Sequence, residues 1–165
     1  MVAATLTRLD EARARRALER VVDPEIPVLN VLEMGVVREI QAENGRVEVA
    51  ITPTYSGCPA MHAIALDIDR ALSEAGFREV RIRTVVAPAW TTDWLTEAAR
   101  AKLLAIGIAP PPAAGKRALL GDDHANCPRC GSARTSMLSR FGSTACKAIW
   151  RCDACLETFD QFKCI

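Results

Sequence analysis

The chain has 165 residues, half of them hydrophobic and a quarter charged, with 21 basic and 20 acidic side chains for a net charge of +1. That is room for one ordinary domain plus a small module, and the balance is that of a soluble globular protein. No apolar run approaches the roughly 20 residues a membrane span needs, and Met1 to Leu6 is too short and weakly apolar for a secretory signal, so a cytoplasmic protein is expected.

The spacing predicts a helix from Thr7 to Val22, with Leu9, Ala12, Leu18 and Val22 on its apolar face and Arg13, Arg15, Arg16 and Arg20 off it. Asp23-Pro24-Glu25-Ile26-Pro27 ends it, because proline cannot continue a helix. Val36 to Gln41 reads as a strand, Asn44-Gly45 as a tight hairpin turn, and Arg46 to Ile51 as the returning strand with Val47, Val49 and Ile51 on one face. A second helix runs from Pro59 to Ala75 and stops at Gly76. Glu79 to Val86 alternates as a third strand, and Thr92 or Asp93 caps a last helix through Leu104. The order α-β-β-α-β-α describes a small α+β sandwich over residues 1–108. Three consecutive prolines, Pro110 to Pro112, mark an extended linker over 109–120, and residues 121–165 form a separate module.

That module carries the strongest chemical signal. Cys127-Pro128-Arg129-Cys130 and Cys152-Asp153-Ala154-Cys155 are two Cys-x-x-Cys pairs separated by 21 residues. Four thiolates spaced so can occupy the corners of a tetrahedron, the geometry zinc prefers, and in a reducing compartment such pairs read as metal ligands before disulfides. The reading is structural zinc in a zinc ribbon, with an iron–sulfur centre as the competitor. Phe159 and Phe162 are expected to fill its small core. Cys146 and Cys164 are left open as further ligands, buried residues or redox thiols.

In the first domain, Cys58 stands in Thr52-Pro53-Thr54-Tyr55-Ser56-Gly57-Cys58-Pro59, where a strand ends and a helix opens on proline. The start of a helix favours a thiolate, which makes Cys58 a reactive candidate against the plain alternative of a small buried residue. His62, four residues on, shares its side of the helix and reads more simply as a half-exposed histidine. Asp23, Glu25 and Glu33 are turn formers unless the fold brings their loop beside Cys58. Trp90 and Trp94 read first as a hydrophobic staple of the last helix, and second as a protein-contact edge. Residues 109–165 carry 8 basic and 5 acidic side chains, a positive excess that four zinc-bound thiolates would largely cancel, so no nucleic-acid interface is expected.

Asp23-Pro24-Glu25-Ile26-Pro27-Val28, Met34-Gly35-Val36-Val37 and Thr52-Pro53-Thr54 running into Gly57-Cys58-Pro59 resemble the small iron–sulfur assembly domain of SufT-like proteins, over roughly residues 8–108. Pro88-Ala89-Trp90-Thr91-Thr92-Asp93-Trp94, with Phe141-Gly142-Ser143-Thr144-Ala145-Cys146-Lys147 and the closing Phe162-Lys163-Cys164-Ile165, resembles one branch of it, the PaaD family of accessory subunits of the phenylacetyl-CoA epoxidase system. The resemblance implies a non-catalytic partner of a multicomponent oxygenase in aerobic phenylacetate breakdown, with partners in the oxygenase component, in the reductase component and in the iron–sulfur assembly machinery. It implies that Cys58 is the reactive cysteine, transiently holding iron or an iron–sulfur cluster, with Asp23 and Glu25 in the loop near it and Thr54 in the motif leading to it. It implies that Cys127, Cys130, Cys152 and Cys155 are the metal knuckles, and it gives His62 no role. The alternative is a structural subunit that stays bound to the oxygenase without transferring metal.

Overall fold

The computed structural model describes residues 2–112 and 124–163, so most of the expected linker and Cys164 lie outside it. The chain divides into two compact units, Met1–Trp90 and Thr91–Ile165. Among the described residues no helix is long and apolar enough to cross a membrane.

The first unit has the order α1 (Val2–Leu18), β1 (Val37–Glu43), β2 (Arg46–Ile51), α2 (Ala60–Glu74) and β3 (Glu79–Thr84). The sheet order is β1-β2-β3. β1 and β2 are an antiparallel hairpin, and its turn holds Asn44 at φ 56° and Gly45 at φ 77°, the left-handed pair that a two-residue turn between twisted strands requires. β3 lies parallel to β2, which demands a crossover, and α2 supplies it. α1 packs on β1, α2 on β3 and the helices on each other, so both cover one face of the sheet.

α2 buries Ile64, Ile68 and Leu72, one residue per turn, against that face. It ends in a Schellman cap: Phe77 N–H donates to the Leu72 carbonyl and Gly76 N–H to Ser73, with Gly76 at φ 91°. On α1 the buried residues are Ala14, Ala17 and Leu18, followed by Val21, while Leu9 and Val22 are exposed. Leu18 is buried as expected, and the rest of the buried face is carried by Ala14, Ala17 and Val21 in place of Leu9, Ala12 and Val22. α1 also ends at Leu18 rather than Val22, since Val22 already bridges to Asn30. The other face of the sheet is polar and laced by ion pairs: Arg83 Nε to Glu48 at 2.8 Å, Arg83 to Glu39, and Arg46 Nε to Glu79 at 2.9 Å.

The segments before β1, after β2 and after β3 meet at one end of this sheet. Thr52 N–H donates to the Val36 carbonyl at 2.9 Å, and the Thr52 hydroxyl donates to the Val85 carbonyl at 2.6 Å. Trp90 closes the set: it is buried and its indole N–H donates to the Met34 carbonyl at 3.0 Å. That replaces the staple reading, because Trp90 anchors the segment after β3 onto the Met34–Gly35 turn.

In the second unit a short 3-10 turn, Thr92–Trp94, precedes α3 (Glu97–Ala105), β4 (Ile108–Ala109), β5 (Thr135–Ser139), β6 (Lys147–Cys152) and β7 (Thr158–Phe162). The helix starts at Glu97 and not at Thr92 or Asp93, because Thr96 is the cap whose hydroxyl accepts from Ala99 N–H at 3.1 Å. The sheet order is β4-β7-β6-β5, with β4 parallel to β7 and the rest antiparallel. Residues 109–112, expected in the linker, here belong to this sheet and its helix. Ala109 pairs with Gln161, and the Pro111 carbonyl accepts from Arg100, whose other nitrogen donates to Thr92. The contact boundary therefore falls at Trp90/Thr91, and the last helix packs with the module rather than with the sandwich.

Trp90→Phe keeps the ring's bulk and removes one buried donor. It is expected to lower stability by about 1–3 kcal/mol in urea unfolding, the usual cost of leaving a buried acceptor without its partner.

Candidate functional site

The second unit brings Cys127, Cys130, Cys152 and Cys155 together, with all four sulfurs within 4.8 Å of one another. Each pair sits on its own knuckle. In the first, Gly131 N–H donates to the Cys127 carbonyl at 2.9 Å and Cys127 N–H to Ser132 at 3.0 Å; in the second, Leu156 N–H donates to Cys152 at 3.0 Å and Cys152 N–H to Glu157 at 2.8 Å. Both knuckles put a left-handed residue after their second cysteine, Gly131 at φ 73° and Leu156 at φ 63°. Arg129 pairs with Glu157 between them.

The sulfurs meet across the knuckles, Cys127 to Cys155 at 3.7 Å and Cys130 to Cys152 at 3.6 Å. A tetrahedron of thiolates at the zinc–sulfur bond length has edges of about 3.8 Å, so this donor set fits one zinc ion. A cluster with its own bridging sulfides would hold the cysteine pairs further apart. Four protein ligands leave no open position, so a zinc ion here ties the knuckles together and does no chemistry on a substrate.

The thiols show the crowding that a dication would relieve. Cys152 is lowered to about 6, first because the Cys155 backbone N–H points at its sulfur, with the Ala154 N–H beside it at 3.4 Å. For Cys155 the Glu157 backbone N–H favours the thiolate, but desolvation and the sulfurs of Cys130, Cys152 and Cys127 outweigh it and push the thiol up to about 12. Cys130 is also raised: the Ser132 backbone N–H favours its thiolate and is outweighed by the Cys152 sulfur and desolvation. Cys127 and Cys152 are buried in the module's core with Ala109, Ala125, Ala148, Trp150 and Phe159, whereas Cys130 and Cys155 are exposed. Phe159 fills that core as expected, and Phe162 is fully buried outside this cluster.

Cys146 stands outside the four-sulfur group. It is buried, 3.0 Å from the Thr144 hydroxyl, and its carbonyl accepts from Lys163 N–H. Of the tasks left open for it, a fifth place in the four-sulfur group is not what the structure shows, and any relation to Cys164 lies outside the described residues.

In the first unit, Cys58 is half-buried at the start of α2. Pro59 is the capping residue of α2, with φ −68° and ψ −25°, so Cys58 stands one residue before the cap, and its carbonyl accepts from Met61 N–H at 3.3 Å. A turn sets it up: Cys58 N–H donates to Tyr55 at 3.2 Å with Gly57 at φ 82°, a type II arrangement that excludes a side chain by conformation and not by space. Thr54 is half-buried in the same segment, and His62 is exposed on the first turn of α2.

The sheet topology brings the loop of Asp23, Glu25 and Glu33 to the same end as Cys58. Asp23 serves that loop's own backbone: it is buried, and one carboxylate oxygen accepts from Glu25 and Ile26 N–H, both at 2.8 Å. Asn30 and Glu33 form a reciprocal cap, in which Asn30 accepts from Glu33 N–H at 2.8 Å and Glu33 accepts from Asn30 N–H at 3.2 Å. The only sequence signal for this cap is the Asn-x-x-Glu spacing, and no apolar helical run follows it to give that spacing meaning.

Comparison with known proteins follows the same division. A family described as iron-sulfur cluster assembly protein matches residues 11–83, and one described as PaaD zinc beta ribbon domain matches residues 111–163. The chain is 46% identical over 148 residues to an Escherichia coli (strain K12) protein provisionally named as a subunit of 1,2-phenylacetyl-CoA epoxidase, covering 90% of this chain and 89% of the relative. It is 32% identical over 94 residues to a Bacillus subtilis (strain 168) Fe-S protein maturation auxiliary factor, covering 56% of this chain and 88% of that protein. Among solved structures, a Bacillus anthracis domain of unknown function (DUF59) matches with a TM-score of 0.58 at 26% identity, covering 61% of this chain and 96% of the other.

Zinc titrated into metal-free protein near pH 7 is expected to displace the Cys130 and Cys155 protons, so the binding heat will differ between buffers of unequal ionisation enthalpy. Affinity is expected to fall as pH drops from about 8 to about 6, because more thiols must then lose a proton to bind. Cys152→Ser is expected to bring the bound zinc, measured by atomic emission, from one equivalent toward none.

Proposed function

Because the chain belongs to the PaaD family of the phenylacetyl-CoA epoxidase system, we propose that it is a non-catalytic, cytoplasmic accessory protein of that system. Its task on this reading is to help mature an iron–sulfur or di-iron centre of the reductase or oxygenase component. Iron or a cluster is the cargo, and Cys58 holds or passes it.

The reading rests on one observation above the others. The cysteine that lies outside the tail's metal group and remains partly accessible is placed at a helix start, at the sheet end where three loop segments meet. A thiolate is the ligand type that soft metals and iron–sulfur clusters prefer. Among the described residues the tail supplies the only group of three or more metal-ligating side chains. Cargo at Cys58 therefore takes its remaining ligands from the donor or the client, which suits a transient bond better than storage. The tail knuckles hold a structural zinc and give the module its fold.

The test is Cys58→Ala expressed with the epoxidase components in cells. The reductase's cluster content and the epoxidase activity are expected to fall to the level of a strain lacking this protein. Unchanged cluster content and activity in the variant would show that Cys58 transfers nothing, and would leave a bound structural subunit as the function.

A further inference from the structure

The four knuckle cysteines are not equivalent. Each knuckle contributes one buried and one exposed residue: Cys127 and Cys152 are buried, Cys130 and Cys155 are exposed. Sulfur contacts across the knuckles join unlike members. The exposed Cys155 lies 3.7 Å from the buried Cys127, and the exposed Cys130 lies 3.6 Å from the buried Cys152. Each exposed cysteine thus has a shielded sulfur of the other knuckle in contact with it.

The main chain helps to hold that arrangement. β5 and β6 pair with Thr135 opposite Cys152, and Asp153 N–H donates to the Arg134 carbonyl at 2.9 Å. The hairpin therefore keeps the second knuckle beside the first from the backbone side. Arg129 and Glu157 add an ion pair, a contact worth little by itself where both partners meet water. Sulfurs this close need to approach by less than about 2 Å to reach the length of a disulfide bond. Zinc bound here keeps all four sulfurs as thiolates, the reactive form, and exposure decides which of them an oxidant meets first.

We propose that the knuckles are a peroxide-sensitive switch, in which Cys130 and Cys155 are attacked first and Cys152 and Cys127 resolve them across the knuckles. The exposed thiolate attacks the O–O bond of the peroxide, gains an S–O bond and becomes a sulfenic acid as hydroxide leaves. The sulfur across the knuckle then displaces the second hydroxide and forms the S–S bond. Two thiolates lose two electrons to one peroxide, and both hydroxides take up protons to become water. The two thiolates that remain no longer enclose the metal, which leaves as the hydrated ion, and a second peroxide closes the other pair. The product carries Cys127–Cys155 and Cys130–Cys152 disulfides, so covalent crosslinks span the knuckles that the metal had joined. The inference rests on the structural-zinc part of the proposed function and is independent of Cys58.

The experiment treats the anaerobically purified, zinc-loaded full chain with hydrogen peroxide, follows zinc with a chromogenic chelator and maps disulfides by mass spectrometry after alkylation. Zinc is expected to fall from one equivalent toward none, with Cys127–Cys155 and Cys130–Cys152 as the disulfides formed. The oxidised chain is expected to melt above the reduced, metal-free chain, and dithiothreitol with zinc to restore the starting state. Cys58→Ala and Cys146→Ser are expected to release zinc as the parent does. Zinc that stays bound through excess peroxide, disulfides confined to Cys127–Cys130 and Cys152–Cys155, or pairs that include Cys146 or Cys164 would overturn the proposal and leave the structural zinc standing. A parent that binds no zinc overturns both.

Discussion

β2 is the strand on which the first unit depends. It pairs antiparallel with β1 on one side and parallel with β3 on the other. The parallel pairing cannot be closed by a hairpin, so the chain must leave the carboxyl end of β2, cross the sheet as a helix and re-enter beside its starting point. That one requirement places the start of α2, and with it Cys58, at the sheet end reached by the segments before β1 and after β3. The hydrogen bonds of Thr52 to Val36 and Val85 then fasten the three segments together. Cys58 owes its position to backbone topology and a glycine-dependent turn, and its environment to loops that serve mainly their own backbone.

The second unit obeys a different constraint. Its core has few apolar side chains of any size, and two of its core members are the ligand candidates Cys127 and Cys152. A sheet of short strands with so small a core gains from a crosslink, and four thiolates around one ion would supply it. Cys127 and Cys152 are buried and Cys130 and Cys155 exposed, so the four-sulfur group lies at the edge of the core and not within it. The two units thus differ: the second gathers four of its six cysteines into one group, and the first has the single cysteine Cys58.

Much of this is legible in the sequence because it rests on local rules. Asn44-Gly45 announces the hairpin, Gly76 the end of α2, and the paired Cys-x-x-Cys motifs the knuckles. The departures arise where distant packing decides. The pattern points to Leu9, Ala12, Leu18 and Val22 as the buried face of α1, whereas beside Leu18 it is Ala14 and Ala17 that are buried, since alanines carry little weight in a periodicity argument. By residue type Thr92 is as good a cap as Thr96, and only the hydrogen bond to Ala99 separates them. β4 is two residues long and gains its place from β7, some fifty residues away, so nothing local marks it. Trp90 stands next to the helix that follows it in sequence, yet its partner Met34 lies 56 residues earlier. The candidate reactive cysteine and the four knuckle cysteines are visible from spacing and turn chemistry, whereas the meeting of three separate loops at the sheet end that carries Cys58 emerges only from the topology.

The division of labour between the two cysteine sites is tested most directly by zinc, iron and acid-labile sulfide analysis, with absorption spectra, of anaerobically purified parent, Cys58→Ala and Cys152→Ser proteins loaded by a cluster donor. One zinc is predicted in the parent and in Cys58→Ala, with iron and sulfide present in the parent and absent from Cys58→Ala. Iron and sulfide that persist in Cys58→Ala and disappear in Cys152→Ser would contradict that division, by placing the cluster in the knuckles and leaving Cys58 without cargo.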